Sequence, residues 1–127
     1  MNGYICYNNN MGTSYVTDLR TGNKIVEGSK TIECVDVTYD GFILQKITNE
    51  QISGTTYQVR IIDKDGNIIW EDSAEKTSNI DTLTDNYVIF DNILINAKTG
   101  KTTDLGVDAG KIGGKVQYNH IIVDNII

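Results

Sequence analysis

Asp18-Leu19-Arg20-Thr21-Gly22 is the stretch that decides the fold, because its pattern returns twice along the chain. The later copies are Asp63-Lys64-Asp65-Gly66 and Asn96-Ala97-Lys98-Thr99-Gly100. Each copy opens on a residue whose short side-chain carbonyl can accept bonds from backbone N–H groups two residues on: Asp18, Asp63 and Asn96. Each closes on a glycine at a position where we expect φ to be positive: Gly22, Gly66 and Gly100. Aromatic and β-branched residues flank the copies, which predicts β-hairpins.

A second series of turn signals lies between these hairpins. In each, a turn residue or pair precedes an aromatic or imidazole ring and an apolar run, as in Gly3-Tyr4, Gly41-Phe42, Asn86-Tyr87 and Asn119-His120. Both series have a period of about 40 residues, which is typical of propellers, solenoids and other repeat arrays. The chain is therefore predicted to contain an internal repeat.

Each complete repeat is predicted to have four strands, a to d, and the chain to be all-β. The first repeat supplies b, c and d (4–7, 14–18, 24–27). The second supplies a to d (34–38, 41–48, 55–63, 67–71), and so does the third (80–83, 87–90, 92–96, 101–105). The last supplies a and b (115–118, 120–124). No long window has a helical period. We interpret residues 1–127 as a single domain of about three four-stranded antiparallel units.

The segments 15–25 and 60–70 carry a resemblance to a known family. In both, a strand ends in Asp, at Asp18 or Asp63, and a Thr-Gly or Asp-Gly turn follows. The strand after the second turn carries Trp70. These hairpins resemble the outer hairpins of quinoprotein-like and WD40-like β-propeller blades. The resemblance implies propeller-like blades and a chain that is a segment of a larger or oligomeric propeller. A β-trefoil, with about three four-stranded repeats in a similar length, is the alternative fold.

Composition disfavours several classes of partner. The chain has 11 Lys and Arg against 17 Asp and Glu, a net charge of −6. Without a basic cluster it is a poor candidate for nucleic acid or an anionic membrane. We find no signal-peptide pattern and no apolar run long enough to span a membrane, so we expect a soluble protein of unassigned compartment. Abundant Ile, Asn, Lys and Tyr with no Pro fit a low-GC bacterium or its phage.

No catalytic residue or cofactor-binding residue is predicted. The single histidine, His120, aligns with aromatic residues of the other repeats and is interpreted as a packing residue. Cys6 and Cys34 lie in apolar strands and are interpreted as small buried hydrophobes, not a disulfide framework or a nucleophile. Residues 106–111 fall one residue short of a phosphate-binding loop and lack its Ser or Thr. The seven tyrosines could stack on sugars, but repeat packing accounts for most of them.

The turn Asp63-Lys64-Asp65-Gly66 begins like a calcium-binding loop. Gly66 comes directly after Asp65, and Ala74 stands where the twelfth-position Glu would be needed. We therefore interpret the turn as a tight hairpin and predict no metal site.

Two functional classes remain. The first is a non-catalytic binding or assembly module that recognises a protein or a glycan. The second is part of a propeller enzyme whose active residues lie outside this chain. The incomplete first and last repeats could complement each other between two copies. We therefore expect a homo-oligomer, most simply a dimer.

Overall fold

The computed structural model of the chain describes residues 3–106, 116–117 and 120–121. Within these residues the protein is all-β, as predicted, and contains no helix. The strands are β1 (Tyr4–Asn8), β2 (Ser14–Asp18), β3 (Asn23–Glu27), β4 (Ile32–Val37), β5 (Ile43–Gln51), β6 (Gly54–Ile62), β7 (Ile68–Ala74), β8 (Ile80–Thr82), β9 (Tyr87–Phe90), β10 (Ile93–Asn96), β11 (Thr102–Asp104), β12 (Val116–Gln117) and β13 (His120–Ile121).

The strands form antiparallel sheets in which chain neighbours pair. Sheet 1 has the order β1-β2-β3, sheet 2 the order β4-β5-β6-β7, and sheet 3 the order β8-β9-β10-β11. β12 pairs with β13. The predicted strand positions in the first three repeats are confirmed to within a few residues. The predicted strands 115–118 and 120–124 lie partly outside the described residues.

The hairpin of β5 and β6 is longer than predicted. Its pairing runs from Ile43↔Ile62 out to Gln51↔Gly54, so β5 continues through Asn49 and Glu50. That end of the hairpin is polar and exposed, and it therefore lacks the apolar alternation by which a strand is identified from sequence.

Sheet 2 is packed between sheets 1 and 3. Because successive side chains of a strand point to opposite faces, neighbouring residues of β5 and β6 enter different cores. Ile43 and Ile62 join a core with residues of sheet 1, such as Val16. Leu44 and Ile61 join a second core with residues of sheet 3. The three sheets are thus stacked face to face, with one apolar layer in each interface.

The first and third hairpin turns are built from the same hydrogen bonds. Gly22 N–H donates to Asp18 O at 2.7 Å, and Gly100 N–H donates to Asn96 O at 2.8 Å. The side chains of Asp18 and Asn96 each accept a backbone N–H two residues on, at 2.9 and 3.0 Å. The closing glycines have the positive φ expected from sequence, 77° at Gly22 and 76° at Gly100. This agreement supports the alignment of the repeats.

The two glycines differ in their surroundings, which gives a prediction. A Cβ at Gly22 would meet nothing within 4 Å, whereas one at Gly100 would lie 2.9 Å from Ile69 O. Gly22→Ala should therefore cost about 1–2 kcal/mol, from backbone strain alone. Gly100→Ala should cost about 1–2 kcal/mol more, because Ile69 must move. Urea denaturation measures both, and equal losses would contradict the predicted contact.

Candidate functional site

Two of the turns in each repeat lie at the same end of the sheets. In an antiparallel meander the a–b and c–d turns fall at the same end, here called the turn edge. Leu19 N–H donates to Gly3 O at 2.8 Å in sheet 1. Ala97 N–H donates to Asn86 O at 2.9 Å in sheet 3. These matched bonds place Gly3 and Asn86 at equivalent positions, in agreement with the sequence alignment.

A cleft of about 570 Å³ opens at the turn edge between sheets 1 and 2. We call it the Tyr4 cleft. Sheet 1 contributes its first strand and the β2–β3 turn, and sheet 2 contributes the β4–β5 and β6–β7 turns. Its lining residues are Gly3, Tyr4, Leu19, Arg20, Tyr39, Asp40 and Lys64.

The phenol of Tyr4 is at the centre of the cleft. Its ring is packed in the core between sheets 1 and 2, and only 5% of the residue is exposed. Its hydroxyl oxygen accepts hydrogen bonds from Arg20 Nη2 and from Lys64 Nζ, the latter at 3.1 Å. Arg20 Cζ and Lys64 Nζ lie 5.1 and 5.5 Å from the ring centroid. One phenol thus holds two cations from different sheets.

The backbone around Tyr4 allows this close arrangement. Gly41 has a φ of 89°, and a Cβ there would lie 2.9 Å from Tyr4 Cζ. Only glycine combines that conformation with that proximity. On the other side Asp18 orients Arg20, since its Oδ1 accepts both the Arg20 backbone N–H at 2.9 Å and Nε at 3.2 Å.

The charged groups of the cleft are held in their ionised forms. The hydrogen bond from Arg20 lowers the pKa of Asp18, and the hydrogen bond to Asp18 raises the pKa of Arg20. The hydrogen bond to Tyr4 raises the pKa of Lys64. Bonds from Lys98 and then Asn86 lower the pKa of Asp40. Every shift is away from neutral pH, whereas a general acid or base needs a pKa near it.

A second polar network joins the turn edges of sheets 2 and 3. Asp40 Oδ2 lies 3.1 Å from Lys98 Nζ and accepts a hydrogen bond from Asn86 Nδ2 at 2.6 Å. Asn86 Oδ1 in turn accepts the Asp40 backbone N–H at 2.8 Å. The Asp40 carboxylate is therefore held by sheet 3, while the residue also lines the Tyr4 cleft.

Acid should weaken the fold through these carboxylates. Because the pKa of Asp18 is lowered in the folded state, its contribution is present above the unfolded-state pKa of about 4 and is lost as pH falls through the folded value. Asp18→Asn should therefore be less stable than the wild type at pH 6. The difference should shrink at pH 3. Urea denaturation at both pH values checks this, and a difference independent of pH would refute it.

The predicted turn residues serve the hairpins and do not line the cleft. Asp18 supports Arg20, while Asp63, Gly66, Asn96, Gly22 and Gly100 do not line the cleft. Asp63 accepts the N–H groups of Asp65 and Asn67 and the side-chain amide of Asn67, each at 2.9 Å. Between residues 3 and 106, with 116–117 and 120–121, no cluster of His, Cys, Asp and Glu could hold a metal ion.

We expect stability to be independent of divalent metal. The carboxylate of Asp63 is already used by the turn, and the bond from the Asn67 side chain lowers its pKa. Excess EDTA should leave the melting temperature unchanged. A rise of several degrees on adding calcium would instead identify the turn as a metal site.

The two cysteines do not line the cleft. Cys34 is fully buried and Cys6 half-buried, and both thiols are free. Desolvation raises the pKa of Cys6 to about 12, so its thiol is protonated at neutral pH. The side chain of His120 and residues 107–111 of the phosphate-loop-like segment lie outside the described residues.

Sequence reasoning did not identify the cleft. The repeat pattern predicts that Tyr4 is a packing residue, and its ring does pack in the core. The pattern does not predict the two cations bound by its hydroxyl. One signal is present in the sequence, since each of the three repeated glycine-closed turns contains a cation: Arg20, Lys64 and Lys98. Two of the three reach the same phenol.

Comparison with protein families, curated proteins and solved structures finds no match to this chain. Among the described residues, no helix is long and apolar enough to cross a membrane.

Proposed function

We propose that this chain is a non-catalytic binding module, built of propeller-like repeats, that recognises a glycan or a protein at the Tyr4 cleft. The observation that carries the proposal is the chemistry of the cleft. Cationic and hydroxyl donors of Arg20, Lys64 and Tyr4 converge in it, and an exposed aromatic ring stands at its rim. Such groups are suited to holding a ligand, and the raised pKa values of Arg20 and Lys64 lie further from those that acid–base catalysis requires.

The rim of the cleft offers apolar contact area. Tyr39 follows β4 in the β4–β5 turn, and 60% of it is exposed. Leu19 is also exposed. Large exposed side chains that border a polar cleft are typical of binding sites, because they can stack on a ligand at little cost in conformational entropy.

The stacking of the sheets supports the propeller-like interpretation over the trefoil. Each sheet is a meander whose strands follow chain order, and sheets 1, 2 and 3 pack face to face in the same sequence. Blades of a propeller are related in this way.

We further propose that the module forms a homo-oligomer, a dimer in the simplest case. The face of sheet 1 away from sheet 2 carries Ile5 and Tyr7, 53% and 46% exposed. Tyr7 stacks on Tyr15 with ring centroids 5.0 Å apart, and Lys24 Nζ lies 4.1 Å from the Tyr15 centroid. A sheet of a second copy would pack on this face in the same way as sheets 1, 2 and 3 pack on one another.

Arrays of immobilised glycans and peptides test the binding proposal. The wild type and Tyr39→Ala should be compared in parallel. The wild type should bind a defined subset of ligands, and Tyr39→Ala should lose most of that signal while its melting temperature is unchanged. No binding to either array, or equal binding by the variant, would contradict the proposal.

A further inference from the structure

Building on the proposed binding function, we propose that the Tyr4 cleft binds a glycan through a sugar residue that carries a carboxylate, such as a hexuronate. The cleft combines hydrogen-bond donors that suit a single carboxylate with an exposed aromatic ring on which a sugar can stack.

The Tyr4 hydroxyl supplies the first donor. Its oxygen accepts from both Arg20 Nη2 and Lys64 Nζ, which occupies its lone pairs. With both lone pairs used in this way, the hydroxyl proton is the group left to bond a ligand acceptor.

Lys64 supplies the second donor together with a full positive charge. In the part of the chain that the structure describes, the two carboxylates nearest this site form their ion pairs with other cations, Asp18 with Arg20 and Asp40 with Lys98, although the charge of Lys64 acts on both from a longer distance. Lys64 Nζ bonds to the Tyr4 hydroxyl and forms no ion pair there. An ammonium group has three N–H donors, so two remain for a ligand anion.

Arg20 supplies the third donor. Asp18 and Tyr4 take bonds from Nε and Nη2. In the described residues Nη1 has no hydrogen-bond partner. The guanidinium is therefore oriented by Asp18 while one of its edges stays open. Three donors from two sheets thus converge, and a carboxylate, which only accepts hydrogen bonds, complements them.

The remaining lining favours a sugar over an acidic peptide. Asp40 is an acidic residue of the cleft lining, and the chain is acidic overall. A run of Asp and Glu side chains would be repelled by both. A sugar has a single carboxylate for the donors, and its hydroxyls can donate to Asp40. The exposed ring of Tyr39 can stack on the sugar face. The cleft volume also lies within the range of ligand pockets, about 300–1,000 Å³.

The test compares acidic sugars with their own neutral forms. Trisaccharides of galacturonate and glucuronate and a sialic-acid-capped trisaccharide are titrated by calorimetry, each as the free acid and as the methyl ester. A hexapeptide rich in Glu is the peptide arm. At least one free acid should bind about tenfold or more tightly than its ester, and its affinity should fall as salt is added.

Variants locate the binding. Lys64→Gln and Arg20→Gln should each weaken binding of the free acid about tenfold or more and leave binding of the ester unchanged. Tyr4→Phe should also weaken binding of the acid. Lys76→Gln makes the same charge change in the β7–β8 connection, outside the cleft, and should bind normally. Equal melting temperatures exclude misfolding as the cause.

The outcomes separate this inference from the proposed function. Equal affinity for acid and ester, or preference for the peptide, overturns the acidic-sugar inference. In those cases loss of binding in Tyr39→Ala would still support the binding function at the cleft. If none of the sugars, esters or peptide binds in the titrations, the acidic-sugar inference is overturned. If the glycan and peptide arrays also show no binding, the proposed function is overturned as well.

Discussion

Gly28→Ala is expected to destabilise the protein by about 3–5 kcal/mol, a large share of the stability of a domain of this size. Gly28 lies between β3 and β4, where the chain passes from sheet 1 to sheet 2. A Cβ there would overlap Ser14 Oγ and the backbone oxygen of Ile32. Ser14 Oγ accepts the Cys34 N–H at 2.9 Å, so the methyl group would also break a buried hydrogen bond between the sheets. Overpacking and the lost bond together give this magnitude.

Urea denaturation measures the effect, and Gly66→Ala is the control. A Cβ at Gly66 meets nothing within 4 Å, but φ there is 87°, so that variant reports backbone strain alone. Gly28 lacks a positive φ, and its cost therefore contains no such backbone strain. A loss at Gly28 no larger than that at Gly66 would refute the close contact between the sheets.

Light scattering at micromolar concentration is expected to give about twice the monomer mass of 14.1 kDa. The expected interface includes the outer face of sheet 1, where Ile5 and Tyr7 are exposed. Both side chains lie on the same face of β1, so burying them against a second copy would remove apolar surface from water. Ile5→Lys should reduce the mass to that of a monomer, since a charge buried at an interface must lose its hydration.

Ile52→Lys is the matched control for this prediction. Ile52 is fully exposed at the tip of the β5–β6 hairpin, so the same substitution there should leave the mass unchanged. A wild-type mass near 14.1 kDa would contradict the proposed dimer.

The strands and turns could be predicted because their causes are local. Asp18 and Asn96 bond their own turns, and Gly22 and Gly100 take the φ that those turns require, so the pattern is visible within five residues. The extension of β5 could not be predicted. Asn49 and Glu50 are polar and exposed, and they are strand residues only because they pair with Thr56 and Thr55 of β6.

The candidate site was harder to predict because packing between sheets creates it. Tyr4 and Lys64 are far apart in sequence and meet only when sheet 1 stacks on sheet 2. The repeat alignment also treated Tyr4 as equivalent to Phe42, which has no hydroxyl. The alignment therefore identified the packing role of the ring and not the group that binds Arg20 and Lys64.

Chemical-shift mapping tests the proposed site most directly. Amide spectra of the labelled protein are recorded with and without a ligand selected on the glycan or peptide array. The account predicts that the largest shifts cluster at the Tyr4 cleft, in Gly3, Tyr4, Arg20, Tyr39, Asp40 and Lys64. The contradicting result is a cluster elsewhere, for example in the separate pocket that Lys30, Lys46 and Lys76 help to line.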